Sequence, residues 1–164
     1  MISSKMVAAL NEQIKNEQYS SQLYLAMAAW AELKNLRGFG HWLRIQADEE
    51  RGHAIKILDY LVDLEAAVTL KALDQPPTDF KSVQKLFDEV LEHEKKVSDM
   101  INKLYAQAIE EKDYRSQIFL QWFVNEQIEE EANASEIRQK LIDIGDKSSG
   151  VYWVDKELKK REAK

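Results

Sequence analysis

Six side chains of this sequence have the types and spacing to hold metal ions: Glu17, Glu50, His53, Glu94, Gln127 and Glu130. Each interrupts an apolar stripe whose steps of three and four residues mark one face of a helix. The first stripe reads Val7, Leu10, Ile14, Glu17, Ser21, Tyr24, Ala28, and the second Phe39, Leu43, Gln46, Glu50, His53, Ile57, Tyr60, Leu64. The third reads Val83, Phe87, Val90, Glu94, Val97, Ile101, Leu104, and the fourth Leu120, Phe123, Gln127, Glu130, Ala134, Ile137, Leu141. Such faces are buried when helices pack. A buried carboxylate is costly unless it is paired, hydrogen-bonded or bound to metal. Four glutamates, one histidine and one glutamine at one level of a core therefore point to metal coordination.

Four long helices must position these groups. The first is predicted from a Ser3 or Ser4 cap to about Asn35, with Gly38 marking the turn, and the second from about Phe39 to Glu65. Each would be roughly 40 Å long at 1.5 Å per residue. The third should begin after Pro76-Pro77-Thr78-Asp79, capped by Thr78 or Asp79, and end near Lys112-Asp113; the fourth should stop before Gly145. Short turns make each consecutive pair an antiparallel hairpin. The segment Ala66 to Gln75 is long enough to run the length of the bundle and join the hairpins. A hinge at Lys147-Ser148-Ser149-Gly150 leads to a short fifth helix, Val151 to about Lys160, expected to bend away from the bundle and pack against neighbouring subunits.

Composition agrees with an all-α chain. Its 164 residues suit one domain, 1–164, with 1–145 as the bundle and 146–164 as hinge and terminal helix. Five glycines and two prolines are too few for a turn-rich β protein, and 32% charged with 45% hydrophobic residues suits amphipathic helices. The absence of cysteine excludes disulfides and thiolate metal sites, and fits a reducing, cytoplasmic setting. No signal peptide or membrane-spanning run is read from the sequence, so no membrane partner is expected. A net charge of -6 argues against nucleic-acid binding and suits a protein that gathers cations.

The hairpins repeat. Glu17 and Glu94, Glu50 and Gln127, and His53 and Glu130 are each separated by 77 residues. One helix of each pair offers a single glutamate and the other two polar residues three apart, which share a helix face. This quasi-two-fold arrangement is suited to two metals side by side.

With these residues in view, the chain resembles the bacterial non-haem ferritins over essentially its whole length. The likeness is carried by Glu17 and Tyr24, by Glu49-Glu50-Arg51-Gly52-His53, by His93-Glu94, by the run from Gln121 to Glu131, and by the tail from Val151 to Leu158. Gln127-x-x-Glu130 in place of a second Glu-x-x-His is similar to ferritins and unlike bacterioferritins. Arg51 and Gly52 stand where bacterioferritins place a haem-ligating Met, so no haem is predicted. Rubrerythrin-type proteins add a Cys-rich domain that this chain lacks.

The resemblance implies a ferritin-like four-helix bundle with one long crossover between helices two and three and a short fifth helix. It implies that Glu17, Glu50 and His53 hold a first iron, that Glu50 bridges to a second, and that Glu94 and Glu130 complete the second. Gln127 would lie beside the pair. Glu49, Glu126 and Glu129, sharing Glu130, match a third iron site. Tyr24 and Trp122 match residues able to supply an electron. Oxygen ligands with one imidazole suit Fe(II) and Fe(III). The implied activity is that of a ferroxidase: Fe(II) is oxidised by oxygen or hydrogen peroxide, and the Fe(III) is stored as ferric oxide inside a cage of twenty-four subunits.

Blander readings stand beside these. A lone glutamate on a stripe is a boundary residue. Glu49, Glu126 and Glu129 read equally as a solvated acidic face, and Tyr24 and Trp122 as core packing. His41 and His93 read as surface residues or supports behind the ligands, Gly52 as a point of close packing, and the tail Lys156 to Lys164 as a solvated helix end. The alternative function is a di-iron oxidase or oxygenase acting on an organic substrate.

Overall fold

The structure is a computed structural model describing residues 2–145 and 148–163, with the side chain of Ser148 left out. Its elements are α1 (Ser4–Leu33), α2 (Arg37–Asp63), α3 (Val83–Glu110), α4 (Tyr114–Ile144) and α5 (Ser148–Leu158), with no strand among the described residues. No described helix is long and apolar enough to cross a membrane.

Local chemistry sets the helix starts. Ser3 caps α1 by accepting from the Met6 N–H, and Asp113 caps α4 by accepting from Ser116 N–H at 3.1 Å. The cap of α3 differs from the predicted Thr78 or Asp79. Residues 64–82 stay non-helical, and Ser82 accepts from the Lys85 N–H at 3.2 Å. Asp79 instead accepts from the Trp30 indole N–H at 3.0 Å, while Phe80 is buried edge-on against the Trp30 ring. That anchor engages Asp79, one of the two capping candidates, and α3 starts only after Ser82.

Each of the four long helices is followed by a residue with positive φ. Asn35, Glu65, Lys112 and Gly145 follow them with φ of 61°, 53°, 55° and 57°. At the first three, the next N–H reaches back five residues: Leu36 to Ala31, Ala66 to Leu61 and Asp113 to Ala108. These three are Schellman closures, with the left-handed position that glycine usually takes filled by Asn35, Glu65 and Lys112; Gly145, at φ 57° and ψ -153°, ends α4 differently. Asn35, rather than Gly38, therefore makes the first turn; Gly38 lies inside α2.

Contacts fix the topology. Gln46–Glu130, His53–Phe123 and Tyr60–Ser116 step in opposite directions along α2 and α4, so these helices are antiparallel. The crossover follows α1. Asn11 donates to Ala67 O at 2.9 Å and accepts from Thr69 N–H at 2.6 Å, and the Trp30–Asp79 bond holds the far end. Asn11 to Trp30 is about 28 Å of helix, most of the bundle length.

Two apolar clusters fill the core. One contains Tyr24, Phe39, Leu43, Phe87, Ala134 and Ile137; the other contains Leu10, Ile14, Ile57, Val97, Ile101 and Phe123. Along each long helix the polar residues singled out by spacing fall between the two clusters.

The fifth helix departs from expectation. Ser148, Ser149 and Gly150 are its first turn, while Lys147 lies outside the described residues. It docks on its own subunit instead of bending away, with Val154 and Leu158 buried in the first cluster. Asp155, buried, accepts from the N–H groups of Gly38 at 2.7 Å and Phe39 at 3.1 Å. Leu36, at the cap position of α2, supplies no side-chain cap. The far end of the chain thus provides the acceptor that orphan N–H groups at a helix start require. Contact is so close that a Cβ on Gly38 would lie 1.6 Å from Asp155 O.

Candidate metal centre

Between the clusters lies a polar layer. Glu17, Glu50, His53, Glu94, Gln127 and Glu130 are all at most 5% exposed, as is Gln46. The structure brings potential ligand atoms of Glu17, Glu50 and His53 within 4.8 Å of one another. A second group at the same spacing is His53, Glu126 and Glu130.

Three carboxylates share one pattern. Glu17 Oε1 accepts from Gln13 at 2.8 Å, Glu50 Oε1 from Gln46 at 3.1 Å, and Glu130 Oε2 from Gln46 at 2.7 Å. The other oxygen of each is buried without a hydrogen bond; Glu50 Oε2 lies 3.3 Å from His53 Nδ1. One arm is fixed by an amide, and the other is aimed into the layer. Buried polar atoms are rarely left so, and a cation would satisfy all three. Sequence reading missed Gln13 and gave Gln46 no role. The signal was present: each stands four residues before a glutamate of the buried layer, a spacing at which helix side chains meet.

Glu94 is arranged differently. Its Oε1 accepts from Tyr24 OH, and its Oε2 from Gln127 Nε2 at 3.2 Å. Both oxygens are engaged, and Glu94 belongs to neither ligand group above. Tyr24 is fully buried and donates into the layer, so it is more than core filling. His93 stands behind it, its ring edge-on to Tyr24 and Nε2 2.7 Å from Ser20 Oγ. Trp122 is 39% exposed and packs edge-on against His53, with centroids 5.4 Å apart, so the core-packing reading fails for it.

Electrostatics follow from crowding acids without water. Burial, with the Glu50 charge adding to it, pushes the Glu17 carboxyl up to about 8. Burial raises Glu50 well above the carboxylate range, helped by Glu94 and Glu130. Glu130 rises to about 7 through burial and then Glu94. Glu94 rises through burial, opposed by its bonds to Tyr24 and Gln127. Burial also raises the Tyr24 phenol, with Glu94 adding to it, and lowers His93 to about 4.

The three outer glutamates are dispersed. Glu126 lies with His53 and Glu130, beside a cleft of about 580 Å³ between α2 and α4 that Glu49, Gly52, His53 and Trp122 also line. A Cβ on Gly52 would meet nothing within 4 Å, so close packing does not explain this glycine. Glu49 Oε2 accepts from Arg161 at 2.6 Å, and Glu129 lines a separate cleft with Glu49 and Arg161. The terminal tail is therefore not a solvated end at Arg161, whose side chain is only 15% exposed. His41 Nε2 meets Arg161 O at 2.8 Å, supporting the tail and not a metal.

Known proteins share this sequence and fold. The chain is 40% identical to a bacterial non-heme ferritin of Bacteroides fragilis strain 638R over 161 residues, 98% of this chain and 100% of the relative. It is 40% identical to a bacterial non-heme ferritin of Campylobacter jejuni over 159 residues, 97% of this chain and 95% of the relative. Among solved structures, an open-pore ferritin from the archaeon Archaeoglobus fulgidus is 43% identical, superposes with a TM-score of 0.98, and covers 99% of both chains. The ferritin-like domain family matches residues 7–144. With its interrupted stripes folded into one acidic layer, this chain belongs to the ferritin family.

Proposed function

We propose that the protein is a cytoplasmic iron-storage ferroxidase that binds two Fe(II) ions per subunit in the polar layer, oxidises them with oxygen, and stores Fe(III) as mineral inside a shell of twenty-four subunits. One observation carries the reading: Glu17, Glu50 and Glu130 each keep a buried oxygen without a hydrogen bond, and all three belong to ligand groups that share His53. Hard oxygen donors with one imidazole match iron.

Each residue has a task in this reading. Glu17 and His53 bind one ion, and Glu130 the other. Glu50, between them, shares its carboxylate. Glu94 joins the second ion by giving up its bond to Gln127, whose amide keeps its contacts to Glu94 O and Ser98 Oγ and so stays beside the pair. Tyr24 holds the remaining Glu94 oxygen and stands close enough to the layer to supply an electron; Trp122, against His53, could do so from the cleft side. Each Fe(II) gives one electron, and oxygen takes two electrons and two protons to become hydrogen peroxide. The raised carboxyls release protons as the cations bind. Glu126 and Glu49 line the cleft beside His53, and Glu129 lines the neighbouring one with Glu49; a third ion leaving the pair would be held among these glutamates.

Adding Fe(II) to the aerobic protein tests the reading. The parent should give a fast oxidation phase and a soluble mineral. Glu50→Ala should lose the fast phase while keeping its helical circular dichroism. Replacing Glu49, Glu126 and Glu129 together should leave the first two Fe(II) per subunit rapidly oxidised and alter later turnover. Parental stopped-flow traces from Glu50→Ala would overturn the assignment.

A further inference from the structure

Arg161 lies beyond α5, 115 residues from Gln46 along the chain, and yet reaches the back of the polar layer. Its guanidinium sits over the Trp42 ring, 4.3 Å from the centroid, and Nη1 donates to Trp42 O at 3.2 Å. Nη2 donates twice: to Gln46 Oε1 at 2.9 Å and to Glu49 Oε2 at 2.6 Å. The backbone is pinned as well, through His41 and Arg161 O. A planar guanidinium held on its face and both arms has little freedom left.

The bond to Gln46 matters because a primary amide has two ends. Gln46 is fully buried, and its Nε2 holds both Glu50 Oε1 and Glu130 Oε2. Those bonds require the NH2 end to face the carboxylates. An acceptor in place of a donor at Arg161 would favour the flipped amide and set its one oxygen against the two carboxylate oxygens. Arg161 donates to the Gln46 oxygen and so fixes the one orientation in which the amide serves the ligands.

We propose that Arg161 is a positioning residue for the metal centre: by donating to Gln46 it sets the amide that orients Glu50 and Glu130, tying metal affinity to docking of the C-terminal tail. The proposal rests on the reading of the polar layer as the iron centre. Partners behind metal ligands commonly change affinity about 10–100-fold when removed.

The test is calorimetric titration of the assembled apoprotein with Zn(II), a redox-inert probe, for the parent and for Arg161→Gln, Arg161→Lys, Gln46→Leu, Arg161→Gln with Gln46→Leu, and Glu50→Ala. Arg161→Gln should weaken the tightest class of sites about tenfold. Arg161→Lys should weaken it too, because a single ammonium on a flexible stem cannot hold Trp42 O, Gln46 and Glu49 together. If Arg161 acts through Gln46, the double variant should bind no more weakly than Gln46→Leu alone. Parental affinity in Arg161→Gln, additive losses in the double variant, or full rescue by lysine would each overturn the positioning role; the last would make Arg161 a mere counter-charge to Glu49. Failure of the underlying reading looks different. A parent without tight sites, or a Glu50→Ala variant that keeps them, overturns the centre itself and the proposal with it.

Discussion

At the residue scale the centre is an acid cluster kept poor in water, and protons stand in for metal when metal is absent. Glu17 and Glu130 ionise near 8 and 7 in the fold, against an ordinary 4.5. Between these limits the folded chain binds more protons than the unfolded chain, so stability falls as pH rises. The apoprotein should melt at progressively lower temperature from about pH 5 to pH 8, by thermal circular dichroism. Glu17→Gln should flatten that slope, and an unchanged slope would show that Glu17 ionises normally. Glu50→Ala should raise the apoprotein's melting temperature toward alkaline pH, where the parent must ionise this buried carboxyl beside Glu94 and Glu130. The same scale holds a stability reserve at Gly52. Alanine there meets open space, so Gly52→Ala should stabilise the apoprotein by about 1 kcal/mol through helix propensity alone.

At the element scale, helix ends and docking decide the outcome. Lys112 occupies a left-handed position where glycine is unstrained. Lys112→Gly should therefore stabilise the α3–α4 turn by about 1 kcal/mol, read as a higher melting temperature. Gly38→Ala should do the opposite. Its methyl would collide with the Asp155 backbone, so α5 must undock and leave the Gly38 and Phe39 N–H groups without their acceptor. Accelerated amide exchange at Phe39 would report this, and parental protection would show that α5 stays in place. These elements also mark what the sequence made legible. Glu17, Glu50, His53, Glu94, Gln127 and Glu130 could be found because a period of 3.6 places them on buried faces, and burial makes charge conspicuous. Gln13 was legible by the same spacing and was passed over. Ser82 as a cap was not, since Asp79 is an equally good cap until Trp30 claims it. Asp155 and Arg161 were hidden for a deeper reason: their partners lie more than 110 residues away, and an acid or a base on a short terminal helix looks solvated in any local window.

At the scale of the whole molecule, one subunit leaves much apolar surface open. Leu33, Ile118, Ile128 and Tyr114 are all more than two-thirds exposed, and Tyr152 and Trp153 project from the outer side of α5. Exposed aromatics of this kind mark association surfaces. Docking of α5 on its own bundle changes what it offers to others: the buried face carries Val154, Asp155 and Leu158, leaving Tyr152 and Trp153 for neighbours. Replacing Tyr152 and Trp153 with serine should weaken the shell while α5 remains docked. Light scattering should then give a smaller or concentration-dependent mass, and an undiminished closed shell would remove these residues from the interface.

The Asp155 cap also places an order on the subunit's birth. Gly38 and Phe39 leave the ribosome long before their acceptor does, 117 residues ahead in the case of Gly38. At 5–20 residues per second that gap is about 6–23 s, during which the start of α2 lacks its acceptor. A stretch translated much later therefore completes one of the first helices, and a chain stalled before residue 155 leaves the Gly38 and Phe39 N–H groups without their acceptor.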